Sequence, residues 1–334
     1  MQGINAAYEV SPSAIDQFSD NFQQELLNLN PDIVLHTAGP YQGQSYRVAN
    51  ACIAAGCHYI DLADGREFVA GFSELDESAK RAGVLAVSGA STLPGLSSAV
   101  IAHYRDSFRS IQAVNISIAP AQQTPRGIGT ILAVLSYCGK PFAVPEQGKA
   151  VIRYGWQDLR WQHYPLLGKR LSGSCDVPDL SLLEDYIPGL ETVTFHAALE
   201  ARWEQLGLYC MAWLTRLGIV KSWVGLAPCL DFISEKLIGF GSDTGGMQVR
   251  ISGTGTDGNA MVLDWYLTAR RNHGPEIPCT PALVLARKLA RNELSRTGAY
   301  PCLGLITLDE FDAEVEELEI SWQVDQRFLS GLSS

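Results

Sequence analysis

The chain has 334 residues, 46% of them hydrophobic, which is material for two globular domains and ample core. A formal charge of -11 and a pI near 5.0 argue against nucleic acid or an anionic membrane surface as partner, since either asks for a basic face. A small-molecule substrate is the expected partner.

No charged and apolar leader is read at the start, so cytoplasmic residence is the expectation. The most membrane-like stretch, residues 206–240, is broken by Arg216, Lys221, Pro228, Asp231, Glu235 and Lys236, which leaves no run of roughly 18 apolar residues. It predicts a pair of buried or interfacial helices. Eight cysteines occur without a C-x-x-C pair or a histidine at zinc-finger spacing, so reduced, mostly buried thiols and no metal are expected.

Residues 5–10 read as a short strand, and Ser11-Pro12 offers a helix start. Ile15, Phe18, Phe22, Leu26 and Leu29 then come at steps of three and four, one apolar helical stripe. Residues 31–68 are the organising unit. An apolar strand at Ile33-Val34-Leu35 breaks at Gly39-Pro40, helical periodicity runs through Val48, Ala49, Cys52 and Ile53, and an extended pattern resumes at Tyr59-Ile60. Phe72, Leu75, Ala79 and Ala82 make the next helical face, residues 84–87 a strand, and a helix runs on to about Tyr104. This alternation predicts an α/β fold with a doubly wound, parallel, Rossmann-like sheet. The sheet is read as incomplete, because no strand feeding a glycine-rich turn precedes Asn5. In such sheets ligands sit at the carboxyl ends of the strands, so the loops at 37–44 and 63–67 are the places to look for chemistry.

The texture changes near Ile111, where VNISIAP alternates like an antiparallel strand and glycine, proline and tryptophan become frequent. Extended pieces at 150–154, 192–197, 247–252 and 261–268 predict a second, α+β domain with a mixed sheet. The expected division is 1–110 for a truncated NAD(P)-binding domain, 111–272 for a substrate and dimerisation domain, and 273–334 for a segment returning to the first. That last segment carries helices at 278–294 and 307–318 and a strand at 319–324; residues 330–334 read as a disordered tail.

Gly253-Thr-Gly-Thr-Asp-Gly258 matches the G-x-G-x-x-G pattern, but its context fails the test. The segment after it alternates Met261, Leu263, Trp265 and Leu267 against Val262, Asp264, Tyr266 and Thr268, so the glycines predict a hairpin. The site candidates lie elsewhere. His36 ends a strand among apolar residues, where a buried, satisfied histidine is the plainer reading. Asp61 lies in an apolar strand, where an unpaired carboxylate would be costly. Asp64 and Arg66 either pair with each other or serve a site. The hydroxyls of residues 88–98, Ser91 and Thr92 among them, read as helix caps or an anion site. Trp156, Trp161, His163 and Tyr164 read as core or pocket lining.

The run HTAGPYQGQSYRVANACIAAGCHYIDLADGREFV, succeeded after one helix by SGASTLPGLSSAV, resembles the saccharopine dehydrogenase-like NAD(P)-dependent oxidoreductases. The resemblance implies hydride transfer between NADP (or NAD) and an amino-acid-like or carbonyl substrate. It places Thr37, Ala38, Gly39 and Pro40, with Asp61, at the cofactor, and Arg66, Ser91 and Thr92 toward the substrate. Tyr41, His36 and Asp64 are the candidates for the accompanying proton. Two departures stand out. Leu93 precedes Pro94-Gly95 where saccharopine-forming members carry an aspartate, which argues against saccharopine, and the family's glycine-rich loop has no counterpart. The alternative is a catalytically silent binding or scaffold protein, with homodimerisation through the second domain's sheet.

Overall fold

A computed structural model describes residues 13–124 and 127–329. The strand expected at 5–10, the helix start at Ser11-Pro12 and the tail at 330–334 lie outside the described residues.

The apolar stripe from Ile15 predicts a longer first helix than α1 (Phe22–Leu29). Short polar side chains divert the backbone first: the Phe18 N–H donates to Asp16 Oδ1 at 2.9 Å and the Asn21 N–H to Ser19 Oγ at 3.2 Å. Such local bonds favour turns over helix. The organising unit is built as β1 (Ile33–His36), α2 (Arg47–Ala55) and β2 (His58–Asp61), then α3 (Arg66–Ala70), α4 (Asp76–Ala82), β3 (Leu85–Ser88) and α5 (Ser97–Tyr104).

The chain then crosses to a second sheet at β4 (Phe108–Ala119) and passes through α6 (Ile128–Ser136), the hairpin β5 (Pro141–Glu146) and β6 (Lys149–Tyr154), and the hairpin β7 (Arg160–Tyr164) and β8 (Gly168–Ser174). Next come α7 (Asp179–Tyr186), β9 (Thr192–Ala198), α8 (Arg202–Arg216), α9 (Ala227–Leu237), β10 (Gly245–Gly255) and β11 (Ala260–Ala269). The last elements are α10 (Glu276–Ala290), β12 (Gly298–Pro301), α11 (Leu308–Val315) and β13 (Ile320–Leu329).

The first sheet has the order β1-β2-β3-β12 and every pair is parallel. Successive residues of β2 point to opposite faces, so Tyr59 packs among Phe68, Phe72 and the α1 and α2 residues Phe22 and Cys52, while Ile60 packs against Leu285 of α10. Helices therefore cover both faces, as a parallel sheet requires. The second sheet runs β13-β11-β10-β4-β9-β8-β7, antiparallel except for the β4–β9 pair. Its core joins Val114, Ile116, Val249 and Trp265 to Leu180 and Leu183 of α7 and Phe311 of α11. The protein is thus an α/β fold with a Rossmann-like sheet and a second, α+β domain with a mixed sheet.

The glycines at 253–258 do close a hairpin, β10 pairing antiparallel with β11 across Asp257-Gly258. The region 206–240 forms α8 and α9, which with their flanking residues expose Trp203, Leu217, Phe232 and Phe240. No helix among the described residues is long and apolar enough to cross a membrane. All eight cysteines are free thiols, buried at 52, 57, 138, 175 and 302 and exposed at 210, 229 and 279. The aromatic group divides: Trp156 and Tyr164 are buried, Trp161 and His163 exposed.

Candidate functional site

A cavity of about 260 Å³ opens where the carboxyl ends of β1 and β2 face the second domain. From the Rossmann-like side it is lined by Gln42, Gly65 and Arg66, and from the other by Tyr137, Lys140 and Asp176. Its two loops are those that leave the strands, at 37–44 and 63–67. Gly65 brings them together: a side chain there would start 3.3 Å from the Tyr41 carbonyl carbon.

Beneath these loops Asp61 is fully buried at the end of β2. Its Oδ1 accepts from the Gly89 N–H at 2.8 Å, the Ala63 N–H at 2.9 Å and Ser88 Oγ at 3.0 Å. Burial pushes its carboxyl up to about 6, against those three hydrogen bonds, which favour the charged form. Asp61 fastens the ends of β2 and β3 and stands outside the lining of this cavity. Two backbone N–H groups and the Ser88 hydroxyl offset part of the cost of placing a carboxylate in an apolar strand.

The His36 ring and the Tyr41 hydroxyl are each engaged within the protein. The Tyr41 hydroxyl donates to the His36 carbonyl at 2.6 Å, and burial raises its pKa far above the ordinary value. His36 Nδ1 lies 2.8 Å from the Tyr59 hydroxyl and Nε2 3.1 Å from Gln17 Oε1, and burial holds its imidazole down at about 4. Both rings belong to a buried cluster with Tyr59 and Phe68. His36 is a buried, satisfied histidine.

Asp64 and Arg66 do not pair with each other. Asp64 stands exposed at the lip and accepts from Gln42 Nε2 at 3.1 Å. Crowding by protein atoms favours its protonated form, whereas exposure keeps water on the carboxylate; the exposure decides, because hydration stabilises the charge. Arg66 crosses the cleft. Nη1 meets Asp176 Oδ1 at 3.0 Å and the Ala143 carbonyl at 2.7 Å, and Nε donates to Ser181 Oγ at 2.6 Å.

Thr37, Ala38, Gly39 and Pro40 form the turn leaving β1. The Gly39 N–H donates to the Thr37 carbonyl, and Gln44 Nε2 donates to the carbonyls of Ala38 and Pro40 at 3.0 and 2.7 Å. Gln44 thereby fixes the shape of this turn from behind. Ser91 is buried and Thr92 half-buried at the entrance to α5, and neither lines the cavity. The hydroxyls there do not cap the helix: Ser97 Oγ donates back to the Pro94 carbonyl and Ser98 Oγ to that of Gly95.

The structure adds residues that local pattern does not mark. Lys140, Tyr137 and Asp176 line the cavity. Asp179, fully buried at the start of α7, accepts from Ser97 Oγ, and burial pushes its carboxyl up to about 7. The stretch Cys175-Asp-Val-Pro-Asp179 reads as a plain turn in the sequence, yet it carries both aspartates that meet the first domain.

The parallel sheet, the mixed sheet and the cleft between them make up a fold of the saccharopine dehydrogenase kind. No family model matches the chain, and no curated protein does. Among solved structures it is similar to an apo saccharopine dehydrogenase (L-Glu forming) from Saccharomyces cerevisiae, with a TM-score of 0.62 and 12% identity over 93% of this chain and 88% of that one. It is also similar to a homospermidine synthase from Legionella pneumophila in complex with NAD, with a TM-score of 0.53 and 14% identity over 95% of this chain and 80% of that one. At these identities the likeness is one of fold.

Proposed function

We propose that this chain is an oxidoreductase that moves a hydride between a nicotinamide cofactor, NADP or NAD, and a small carbonyl-, imine- or amine-bearing substrate. The observation that carries the reading is the cleft itself: a cavity at the carboxyl ends of two parallel strands, closed from the other side by a second domain. The homospermidine synthase of like fold was solved with NAD, which supports a dinucleotide as the ligand of this fold.

The turn of Thr37, Ala38, Gly39 and Pro40 suits the nicotinamide end, since it leaves β1 at the carboxyl edge of the parallel sheet, where ligands of such sheets sit. Among the described residues no glycine-rich strand-to-helix turn is present to hold the pyrophosphate, so only that end is assigned. When bound, the nicotinamide supplies or accepts the hydride. The chain's own residues orient the substrate and handle the proton. Lys140 lines the cavity beside the Arg66–Asp176 pair and Glu67, and is the cation we assign to an acidic group of the substrate. Asp64, at the lip beside Gln42, is the group we assign to holding or moving the proton.

The silent-protein reading is kept by one observation, that the described residues carry no pyrophosphate cradle. NADPH fluorescence titration of the purified chain separates the two. Saturable micromolar binding that weakens in Gly65→Val, where a branched side chain presses on the Tyr41–Gln42 peptide, supports the oxidoreductase. Absence of any binding overturns it.

A further inference from the structure

The two edges of the mixed sheet are built differently. At one end β7 has five residues and stops at Pro165, the short, proline-bounded kind of edge that keeps foreign strands away. At the other, β13 runs for ten residues and holds one unbroken register along β11, from Ala260 opposite Leu329 to Ala269 opposite Ile320, without a bulge. It contains no proline and no lysine. Every residue from Ser321 to Phe328 is exposed, and among the described residues no strand lies on its far side. Such an edge offers a row of backbone N–H and C=O groups to another strand.

The edge is also held in place. Trp322 Nε1 donates to the Asp312 carboxylate of α11 at 2.8 Å, and Arg327 Nη2 stands 3.0 Å from Oδ2 of the fully buried Asp264 on β11. An incoming strand therefore meets a preformed template and does not have to order it. Side chains alternate along the strand. Val324 and Phe328, 37% and 55% exposed, share one face with Trp322; Asp325 and Arg327, 52% and 55% exposed, share the other and carry opposite charges.

We propose that β13 is a docking edge for a second copy of this chain, the two strands pairing antiparallel about a two-fold axis at Gln326 to make one continuous sheet. Charge selects the register. A pairing centred on Gln326 sets Asp325 opposite Arg327 of the second copy, and Arg327 opposite its Asp325, while Val324 meets Phe328 twice as a β-branched and aromatic pair. Centring it on Asp325 or on Arg327 sets like charges face to face, and centring it on Val324 leaves both charges opposite the neutral Ser321 and Gln323. Within the strand only the Gln326 register pairs both charges. The proposal is independent of the oxidoreductase reading.

Sedimentation velocity of the full chain is expected to show a dimer at micromolar concentration. Asp325→Lys replaces two opposite-charge pairs by two like-charge pairs and is expected to raise the dimer dissociation constant roughly 30-fold or more. Glu77→Lys makes the same change of charge on α4, at a side chain 83% exposed, and should leave the constant as in wild type. Register is read by Gln326→Cys, whose two copies would face each other at a Cα separation of about 4.5–5.5 Å, within reach of a disulfide. Diamide, which takes up the two electrons and two protons, is expected to link this variant through residue 326, as mapped by peptide mass spectrometry, and not to link Val324→Cys through residue 324. Should Asp325→Lys lose cooperative urea unfolding, the cross-link decides alone. A chain that stays monomeric up to about 100 µM overturns the proposal. So does a dimer that survives in folded Asp325→Lys, or one in which Gln326→Cys does not link, since either puts the contact on another surface.

Discussion

Arg66 Nη1 stands 3.0 Å from Asp176 Oδ1, a contact made across 110 residues of sequence and across the cleft. One guanidinium thereby ties the start of α3 to the β8–α7 connection through Asp176, to α7 through Ser181 and to β5 through the Ala143 carbonyl. The side chains are 16% and 26% exposed, so water screens the pair only partly.

Removing the guanidinium leaves a half-buried carboxylate and a carbonyl without their donor. Arg66→Ala is expected to lower unfolding stability by about 2–3 kcal/mol, the loss of one charge-assisted bond plus a desolvated partner. Arg66→Lys keeps the charge but not the fork of donors, so it should recover less than half of that loss. Urea unfolding of both variants measures this, and an Arg66→Ala midpoint equal to that of wild type would show that the pair does not fasten the cleft.

Asp179 makes stability fall as pH rises. Its carboxyl titrates near the ordinary carboxylate value when unfolded and at about 7 in the fold, because burial disfavours the charge. Between those values the native state binds more protons than the unfolded state, so stability declines with rising pH and levels off above the folded value. Asp179→Asn keeps the shape and an acceptor for Ser97 Oγ but cannot ionise. Relative to the variant, wild type is expected to lose on the order of 4 kcal/mol between about pH 4 and about pH 8. A constant difference across that range, read from urea curves at stepped pH, would remove the assignment.

His36 works in the opposite sense. Its imidazole is held at about 4 by burial, below the ordinary 6.5, so as pH falls from 6.5 the unfolded state takes up a proton that the native state refuses. Stability contributed by the neutral ring is therefore lost on acidification through that window. His36→Gln should flatten this acid limb by on the order of 3 kcal/mol while Asp61, which titrates in the same window, acts equally in both proteins. Parallel acid limbs for the two proteins would show that the buried ring is not the cause.

The parts of this fold that local periodicity encodes were legible. Val48, Ala49, Cys52 and Ile53 mark the buried side of α2, and the alternation from Met261 to Leu267 marks β11 and exposes the glycine motif before it as a hairpin. The site was legible only in outline. The two loops could be placed because strands precede them, but Asp176 and Asp179 find partners 110 and 82 residues away, and no short-range pattern carries such contacts. The bond from the Tyr41 hydroxyl to the His36 carbonyl is likewise invisible in the sequence, where a phenol at a strand exit shows no partner. The first helix was overread because apolar spacing at Ile15 and Phe18 is silent about the Asp16 and Ser19 side chains that hold the backbone in turns.

Gly89 gives the sharpest test of how β3 meets the site. Its φ of +73° is a conformation that costs an L-residue roughly 1–2 kcal/mol. A Cβ there would also lie 2.7 Å from Pro94 Cδ and 3.0 Å from Val69 Cγ1, neither of which is the tip of a flexible chain. Overpacking of this kind adds about 1–3 kcal/mol. Moreover, the Gly89 N–H is the shortest of the bonds to Asp61 Oδ1, at 2.8 Å, so a backbone shift that relieves the clash weakens the support of a buried carboxylate. Gly89→Ala is therefore expected to cost about 3 kcal/mol or more in urea unfolding. Gly43→Ala is the matched control: its φ is +78° but nothing lies within 4 Å of the added carbon, so it should cost only about 1–2 kcal/mol. Equal losses in the two variants would mean that backbone conformation alone sets the cost, and that Pro94 and Val69 do not close on the end of β3.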